Sequence, residues 1–484
     1  MTDDGQPTSD EQAGDRKLLS LSEPAGKRLL ATTVLGSGMG FLDGTVANVA
    51  LPHIGDDLHA DLAGLQWVVN GYTLSLASLI LVGGSLGDRL GRKRVYAWGI
   101  AGFAVASVLV AIGPTIETVV LARVLQGVFA ALMTPGSLAM LQASFRPEDR
   151  MRAIGAWTGT LGIATAAGPV MGGWLVGIDW RIAFWINVPL AAIVLWLLKP
   201  APESRDEDDV YRFDWWAVVL APVTLAGITW ALTAWPDTGP SATTVGALVV
   251  GILAGVAFVL FELREPHPML PPAIFASRDF SVINIVTLFV YAALSGSMLF
   301  LAIFLQVSAG WSPLEAGAAT VPVSIIMFFL ASRFGAVATK FGARTPMVAG
   351  SAVLTVGFAW LALAPDGPSY VGQILPGVIL MGLGLSMLVA PLTGTVLAAV
   401  PDEESGLASG INNAVSRTAG LLAVAVLPLL VGLSGTAYRD PAAVGDAYRA
   451  SMWWCAALVA VGGILTAVAL RSPASEAQPA TTEG

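Results

Sequence analysis

Two charged side chains, Asp43 and Arg123, lie deep inside long apolar stretches of this 484-residue chain. An ionised side chain at the centre of a lipid layer costs about 2.5–3.5 kcal/mol, so such groups usually pair or serve a function. A carboxylate can bind and release a proton, and a guanidinium can neutralise or polarise it. We therefore predict that Asp43 and Arg123 are proton-coupling residues. The alternatives are a structural carboxylate held by interhelical hydrogen bonds, and an arginine that braces neighbouring helices.

A second set of candidates consists of uncharged polar and aromatic side chains inside apolar stretches. A pocket that mixes such groups suits amphipathic or aromatic compounds. Packing is the commoner role for any one of these residues, so the prediction concerns the group. The substrate-binding candidates are Asn48, Trp67, Tyr72, Gln126, Asn284, Tyr291, Gln306, Asn412 and Asn413. Arg417, close to the last two, has either a functional role or a simple interhelical tie.

The composition predicts the elements that position these residues. Hydrophobic residues make up 55% of the chain, charged residues only 12%, and the mean hydropathy is +0.72. These values exclude an ordinary soluble domain and predict an all-α polytopic membrane protein. Apolar runs long enough to cross a bilayer predict fourteen transmembrane helices. They lie near residues 28–52, 63–86, 95–113, 117–141, 152–176, 182–198, 215–234, 243–262, 280–306, 315–338, 346–364, 373–398, 406–432 and 452–470.

Most Lys and Arg residues fall in the loops on one side of these predicted spans. Because basic loops stay in the cytoplasm, we predict that both termini are cytoplasmic. Polar tails without an apolar core, residues 1–26 and 472–484, are predicted to be disordered. The formal net charge of −9 comes largely from acids in tails and loops, and it gives no reason to expect a nucleic-acid partner.

A short loop with five charges, here called the basic loop, occupies residues 84–94 between two predicted spans. Residues 335–344 form a second, less charged copy, with two glycines in matching places and Thr339 where the first copy has Asp88. An internal repeat of this kind indicates two homologous helix bundles. The difference between the copies predicts a role for Asp88 that Thr339 does not share.

The basic loop resembles the signature loop between the second and third helices of the major facilitator superfamily. Three further segments resemble motifs of that superfamily and of its fourteen-span drug:proton antiporter branch, the EmrB/QacA-like group. They are residues 42–52, residues 121–127 around Arg123, and residues 168–173. The resemblance implies two six-helix bundles with an inserted helix pair. The corresponding domains are residues 27–200, residues 201–264 with a loop and the extra pair, and residues 265–471.

The resemblance also implies roles for two motifs. In the basic loop, Asp88, Arg89, Gly91 and Arg92 are expected to form a conformational latch, and a pure topology signal is the alternative. In the fifth span, Gly168, Pro169, Gly172 and Gly173 are expected to permit a bend and close helix approach, because Pro lacks a backbone donor and Gly lacks a side chain.

Together these observations predict a proton-coupled secondary exporter of amphipathic small molecules such as drugs or antibiotics, located in a bacterial cytoplasmic membrane. Neutral or singly charged substrates are expected, since Asp43 is the one deep acid. The expected partners are substrate, protons and the lipid bilayer, with a functional monomer. No cofactor, metal or enzymatic activity is expected, since the chain has no nucleotide-binding loop and only three histidines, His53, His59 and His267. A metabolite facilitator or importer and a non-transporting membrane sensor are the alternatives.

Overall fold

The computed structural model describes residues 18–204, 215–265, 268, 270–401 and 404–470. Apart from one isolated bridge between Leu19 and Phe145, regular structure in these residues is helical. The sixteen α-helices are α1 Pro24–Asp57, α2 Leu62–Leu90, α3 Arg92–Ile112, α4 Ile116–Ser144, α5 Pro147–Ile178, α6 Ile182–Trp185, α7 Asn187–Leu198, α8 Trp215–Thr238, α9 Ala242–Glu262, α10 Arg278–Ile303, α11 Pro313–Ala318, α12 Val321–Phe341, α13 Arg344–Ala362, α14 Leu375–Ala398, α15 Ser405–Val431 and α16 Pro441–Ala469.

Polar side chains begin several of these helices. The Asp61 carboxylate accepts a hydrogen bond from the Gly64 amide at 2.8 Å at the start of α2. At the start of α11, Ser312 and Glu315 form a reciprocal capping box. Such caps satisfy amides that have no partner within the helix. Glu315 is therefore engaged at a helix end.

Twelve helical stretches in the described residues are long and apolar enough to cross a membrane. The protein is thus a multi-pass membrane protein, as predicted. Two predicted spans differ from these twelve: 182–198 is a shorter apolar helix broken into α6 and α7, and in α5 the shorter apolar stretch is Ala167–Ile178. The count of fourteen spans and the inserted pair therefore stay predictions.

The helices pack mainly within two groups. In the first, α4 packs on α2 and α3, while α1 packs on α5 and α7. In the second, α10 packs on α15 and α16, while α14 packs on α12 and α13. The groups meet where α2 contacts α15 and where α5 contacts α11 and α12. Helices α8 and α9 pack on each other, and α8 also touches α2 and α15.

The amino-terminal segment differs from the prediction for residues 1–26. Leu19 donates its amide to the Ser144 carbonyl at 2.8 Å and accepts from the Arg146 amide at 3.1 Å. Ser20 donates to the Asp149 carboxylate at 2.7 Å, and α1 begins at Pro24. These contacts give residues 18–26 a defined place beside the end of α4, whereas residues 1–17 lie outside the described part of the chain. The predicted tail 472–484 also lies outside it.

The two repeat loops have the same backbone turn. Gly91 ends α2 with φ of 106°, and Gly342 ends α12 with φ of 83°. Residues with a Cβ rarely adopt positive φ, so glycine is favoured at both turns. The next helix begins one residue after Gly91 and two after Gly342. The shared glycines therefore have a conformational explanation.

Candidate transport cavity

A cavity of about 1830 Å³ lies between the two helix groups, here called the central cavity. Its wall includes residues of α1, α2, α4, α10 and α15. Towards one face it reaches Asp88 and Arg92 of the basic loop and Leu397 near the end of α14. The Asp88 side chain is 38% exposed there. The central cavity therefore runs from the middle of the molecule to the face that carries the basic loop.

The opposite face, here called the closed face, is held by contacts between the two groups. The Tyr438 hydroxyl donates to the Ala60 carbonyl at 2.8 Å, and the Leu62 amide donates to the Gly435 carbonyl at 2.9 Å. Arg439 donates to the Gly55 carbonyl at 2.7 Å. Each bond joins a segment at the end of α1 or the start of α2 to the segment before α16.

The glycines of residues 168–173 bring α5 close to its neighbours. A Cβ added at Gly168 would lie 2.6 Å from the Thr45 hydroxyl of α1, and one at Gly172 would lie 2.8 Å from Val46. A Cβ at Gly173 would lie 2.4 Å from the Pro313 carbonyl of α11, in the other helix group. These glycines therefore leave room for α5 to lie close to α1 and α11. The bend expected at Pro169 stays a prediction.

Asp43 and Arg123 meet in the first helix group. Arg123 Nη1 donates a short hydrogen bond to Asp43 Oδ2, and both residues are 1% exposed. Gln126 donates to Asp43 Oδ1 at 2.7 Å, and Asn187 donates to the same oxygen at 3.3 Å. The carboxylate therefore accepts hydrogen bonds from three side chains, one of them charged.

Two members of this network, Asn187 and Ser107, are not among the residues predicted from the sequence. Asn187, on α7, and Ser107, on α3, both contact the groups around Asp43: the Ser107 hydroxyl accepts from Gln126 at 2.8 Å and from Asn187 at 3.1 Å. An asparagine within the apolar run 182–198 was a signal that could have identified Asn187. Gln126, predicted to bind substrate, is fully buried in this network and is not among the cavity-lining residues.

Arg123 separates Asp43 from the central cavity. It lines the cavity whereas Asp43 does not. Its guanidinium carbon lies 4.5 Å from the ring centre of Tyr72 and 5.7 Å from that of Phe184, and Nε donates to the Val68 carbonyl at 2.9 Å. The arginine is therefore held by two rings and a carbonyl as well as by the carboxylate.

The structure divides the predicted substrate-binding residues into two sets. Those lining the central cavity are Asn48, Tyr72, Tyr291, Asn412 and Asn413. The others lie elsewhere: Trp67 packs on Trp230 of α8 with ring centres 5.7 Å apart, and Gln306 donates to the Val49 carbonyl at 3.1 Å. Asn284 accepts a hydrogen bond from Asn412 at 3.0 Å behind the wall.

The second helix group carries a different polar arrangement. Asn412 of α15 donates to Asn284 and, at 2.8 Å, to Thr287, both on α10. Arg417 lines the central cavity. Its Nε is buried without a hydrogen-bond partner, and it takes part in none of the ion pairs among the described residues. Uncharged groups thus form the network here, and Arg417 has no ion-pair partner in the described part of the chain.

The predicted latch residues lie at the open end of the cavity. Asp88 pairs with Arg92 at 2.8 Å, within the same helix group, and Arg89 also lines the cavity. The loop after α7 holds the start of α3, because Glu203 accepts from the Lys93 amide at 2.9 Å. The structure thus places Asp88 at the opening, in a pair with its own loop.

Comparison with known proteins identifies the family. The family model described as Major Facilitator Superfamily matches residues 33–424 and also residues 283–484. The chain belongs to the major facilitator superfamily. This confirms the resemblance at the level of the superfamily, and the fourteen-span branch stays a prediction.

Named members of the superfamily resemble this chain over most of its length. The tetracenomycin C resistance and export protein of Streptomyces glaucescens is 36% identical, over 83% of this chain and 75% of that protein. The puromycin resistance protein of Streptomyces alboniger is 34% identical, over 84% and 82%. An inward-facing, unoccupied bacterial homologue of the lysosomal transporter Spinster has a TM-score of 0.68 at 17% identity, covering 93% of this chain and 98% of that one. This last likeness shows the fold.

Proposed function

We propose that this major facilitator protein exports amphipathic small molecules, drugs or antibiotics, in exchange for protons across a bacterial cytoplasmic membrane. The observation that carries the proposal is the central cavity, which is large enough for a drug-sized molecule and has aromatic and polar walls. The names of the bacterial relatives, which describe antibiotic resistance and export, agree with it.

The proposed topology has fourteen spans. Helix α5 has 32 residues and is long enough to cross a bilayer, and α6 and α7 together cover Ile182–Leu198. With these two included, successive helices alternate direction, and the basic loop lies on the same side as Leu19 and the end of α4. The basic residues of that side support a cytoplasmic location. Helices α8 and α9 then form an added pair beside the junction of α2 and α15.

On this orientation the central cavity faces the cytoplasm, and the closed face seals the outside. An exporter must load its substrate in this state. Release then requires the contacts from Tyr438, Arg439 and Gly435 to break and the cytoplasmic end to close. Asp88, at the cytoplasmic opening, is proposed to stabilise the closed cytoplasmic end as a latch, by meeting the positive end of a facing helix.

Asp43 is proposed to carry the coupled proton. In the described state Arg123 and two amides donate to the carboxylate, so a proton binds only after Arg123 moves away. Arg123 stands between Asp43 and the cavity, so a substrate that displaces it would also change the charge balance of Asp43. Substrate loading and proton exchange would thereby exclude each other at one site, as antiport requires.

The driving force is sufficient for one proton. A potential of 100 mV supplies ~2.3 kcal/mol per charge. With a modest pH difference, one proton supports roughly a hundredfold gradient of a neutral substrate, because each ~1.4 kcal/mol corresponds to tenfold.

Inverted membrane vesicles test the exporter function directly. Vesicles that contain the protein are energised with a proton gradient and given three fluorescent aromatic probes: ethidium, rhodamine 6G and fluorescein. We expect accumulation of at least one probe, and its loss when a protonophore is added. Vesicles without the protein are the control. Equal uptake of all three probes with and without the protein would contradict the proposal, and accumulation in right-side-out vesicles alone would indicate an importer.

A further inference from the structure

The charged residues that line the central cavity are mostly positive. Among the described residues its wall carries one acid, Asp88, and four arginines, Arg89, Arg92, Arg123 and Arg417. Asp88 pairs with Arg92 at the opening, and Asp43 pairs with Arg123 from behind the wall. At mid-depth the cavity therefore presents the positive charge of Arg417, which has no counter-charge among the described residues.

Arg417 lies where a bound molecule would meet it. It is near the middle of α15, which runs from Ser405 to Val431. Tyr72 and Tyr291 line the same cavity as Arg417, and Asn413 lies one helical turn earlier on the same cavity wall. These neighbours are neutral side chains, and each of them can donate a hydrogen bond.

We propose that Arg417 binds an anionic group of the substrate, and that the preferred substrates are amphipathic aromatic acids that carry one carboxylate or phenolate. This inference rests on the proposed function and narrows its substrate class. A partly buried guanidinium with an unbonded Nε gains a charge-assisted partner when an anion binds. A cationic substrate would meet the same charge with no compensating acid, and would be disfavoured.

Binding of a matched probe pair tests the proposal without any gradient. Anthraquinone-2-carboxylate and anthraquinone-2-carboxamide have nearly the same shape and differ by one charge. Full-length protein is placed in nanodiscs of phosphatidylcholine, and Kd is measured by equilibrium dialysis. We expect the carboxylate to bind about ten- to a hundredfold more tightly than the amide, the range for a hydrogen bond to a charged group.

Three variants assign that preference to one residue. Arg417→Gln should remove it and leave the Kd of the amide near the wild-type value. Arg417→Lys should keep most of it, since the charge remains. Arg333→Gln, a loss of one exposed cation on α12 away from the cavity lining, is the matched control and should behave as wild type.

Two results would overturn the proposal. One is a wild-type protein that binds the carboxylate no more tightly than the amide, including no binding of either. The other is a preference that survives Arg417→Gln. Because no proton gradient is present, failure of the vesicle experiment with intact selective binding would reject coupled export while leaving the Arg417 site in place. Export that persists while binding shows no preference for the carboxylate would reject the Arg417 site and leave coupled export in place.

Discussion

The two helix groups hold their buried polar residues in opposite ways. In the first, a charged pair is neutralised internally: Asp43 is bonded by Arg123 and by two amides, and none of the three donors lies more than 3.3 Å away. In the second, Asn284, Asn412 and Thr287 form an uncharged network, and Arg417 faces the cavity without a partner among the residues that the structure describes. The two helix groups thus differ in the source of the charge that compensates a buried charged side chain. In the first group, Arg123 compensates the charge of Asp43. In the second group, the counter-charge of Arg417 comes from a bound ligand.

The two repeat loops show the same division on a smaller scale. Gly91 and Gly342 share positive φ, because both must turn one helix into the next. Asp88 carries a charge that pairs with Arg92, whereas Thr339 donates to the Ala336 carbonyl of its own helix at 2.8 Å. Both copies therefore share the turn at glycine, whereas only the first copy has the charged pair of Asp88 and Arg92.

The largest expected difference lies between two arginine deletions. Arg123→Ala leaves Asp43 as a buried, unpaired carboxylate, and breaking a buried pair destabilises by about 3–5 kcal/mol. Arg417→Ala removes a charge that has no partner within the described ranges, so the free energy of unfolding of this variant should stay near the wild-type value. Thermal unfolding of both variants in the same detergent measures the difference. Equal destabilisation by the two single variants would contradict the contrast between the helix groups. The double variant Asp43→Asn/Arg123→Gln should be more stable than Arg123→Ala, because it leaves no buried charge unpaired.

A smaller effect is expected from two glycines of α5. A Cβ at Gly173 would approach the Pro313 carbonyl to 2.4 Å, whereas one at Gly177 would meet nothing within 4 Å. Gly173→Ala should therefore shift the protein away from the state with the closed face by about 1–3 kcal/mol, the usual range for overpacking. Gly177→Ala is the matched control on the same helix. Spin-label distances between α5 and α12 measure the shift, and identical distances in both variants would show that close approach at Gly173 does not hold that face.

The smallest effect concerns the latch. Asp88→Asn should favour the state open to the cytoplasm by about two- to fivefold, since an exposed charge at a helix terminus contributes roughly 0.3–1 kcal/mol. Thr339→Val, at the matching place in the second copy, should leave the equilibrium unchanged. Distances between labels on α2 and α15, at the face that carries the basic loop, report the populations. Distances in Asp88→Asn equal to those of the wild type would reject the latch and favour the alternative, that the basic loop only sets the membrane topology.

Hydropathy was sufficient for most of the fold, because each membrane helix satisfies its own backbone and so depends mainly on local sequence. Predicted spans 243–262 and 346–364 agree within two residues with α9 and α13. The last span was wrong at its start, since α16 begins at Pro441, eleven residues before 452. Its first turns are polar, with Arg449 paired to Asp366 and Asp446, and a hydropathy window excludes such a segment.

The candidate site was only partly predictable. Depth within an apolar run was enough to single out Asp43 and Arg123, which the structure brings together. The assignment of Gln126 to that pair, the contribution of Asn187 and the position of Trp67 outside the cavity depend on helix rotation and packing. When a helix is apolar on all its faces, the sequence does not indicate which face points towards the interior of the protein. Which end of the cavity is open is likewise decided by contacts between distant residues.

Transport by Asp43→Asn in reconstituted vesicles tests the central claim, that this carboxylate couples protons to export, most directly. The change removes the titratable group and keeps its volume and one accepting oxygen. Two measurements are made on the same vesicles: exchange of labelled for unlabelled substrate without a gradient, and accumulation driven by a proton gradient. The account predicts that the variant is inserted and exchanges substrate, but accumulates none. Gradient-driven accumulation equal to that of the wild type would contradict it.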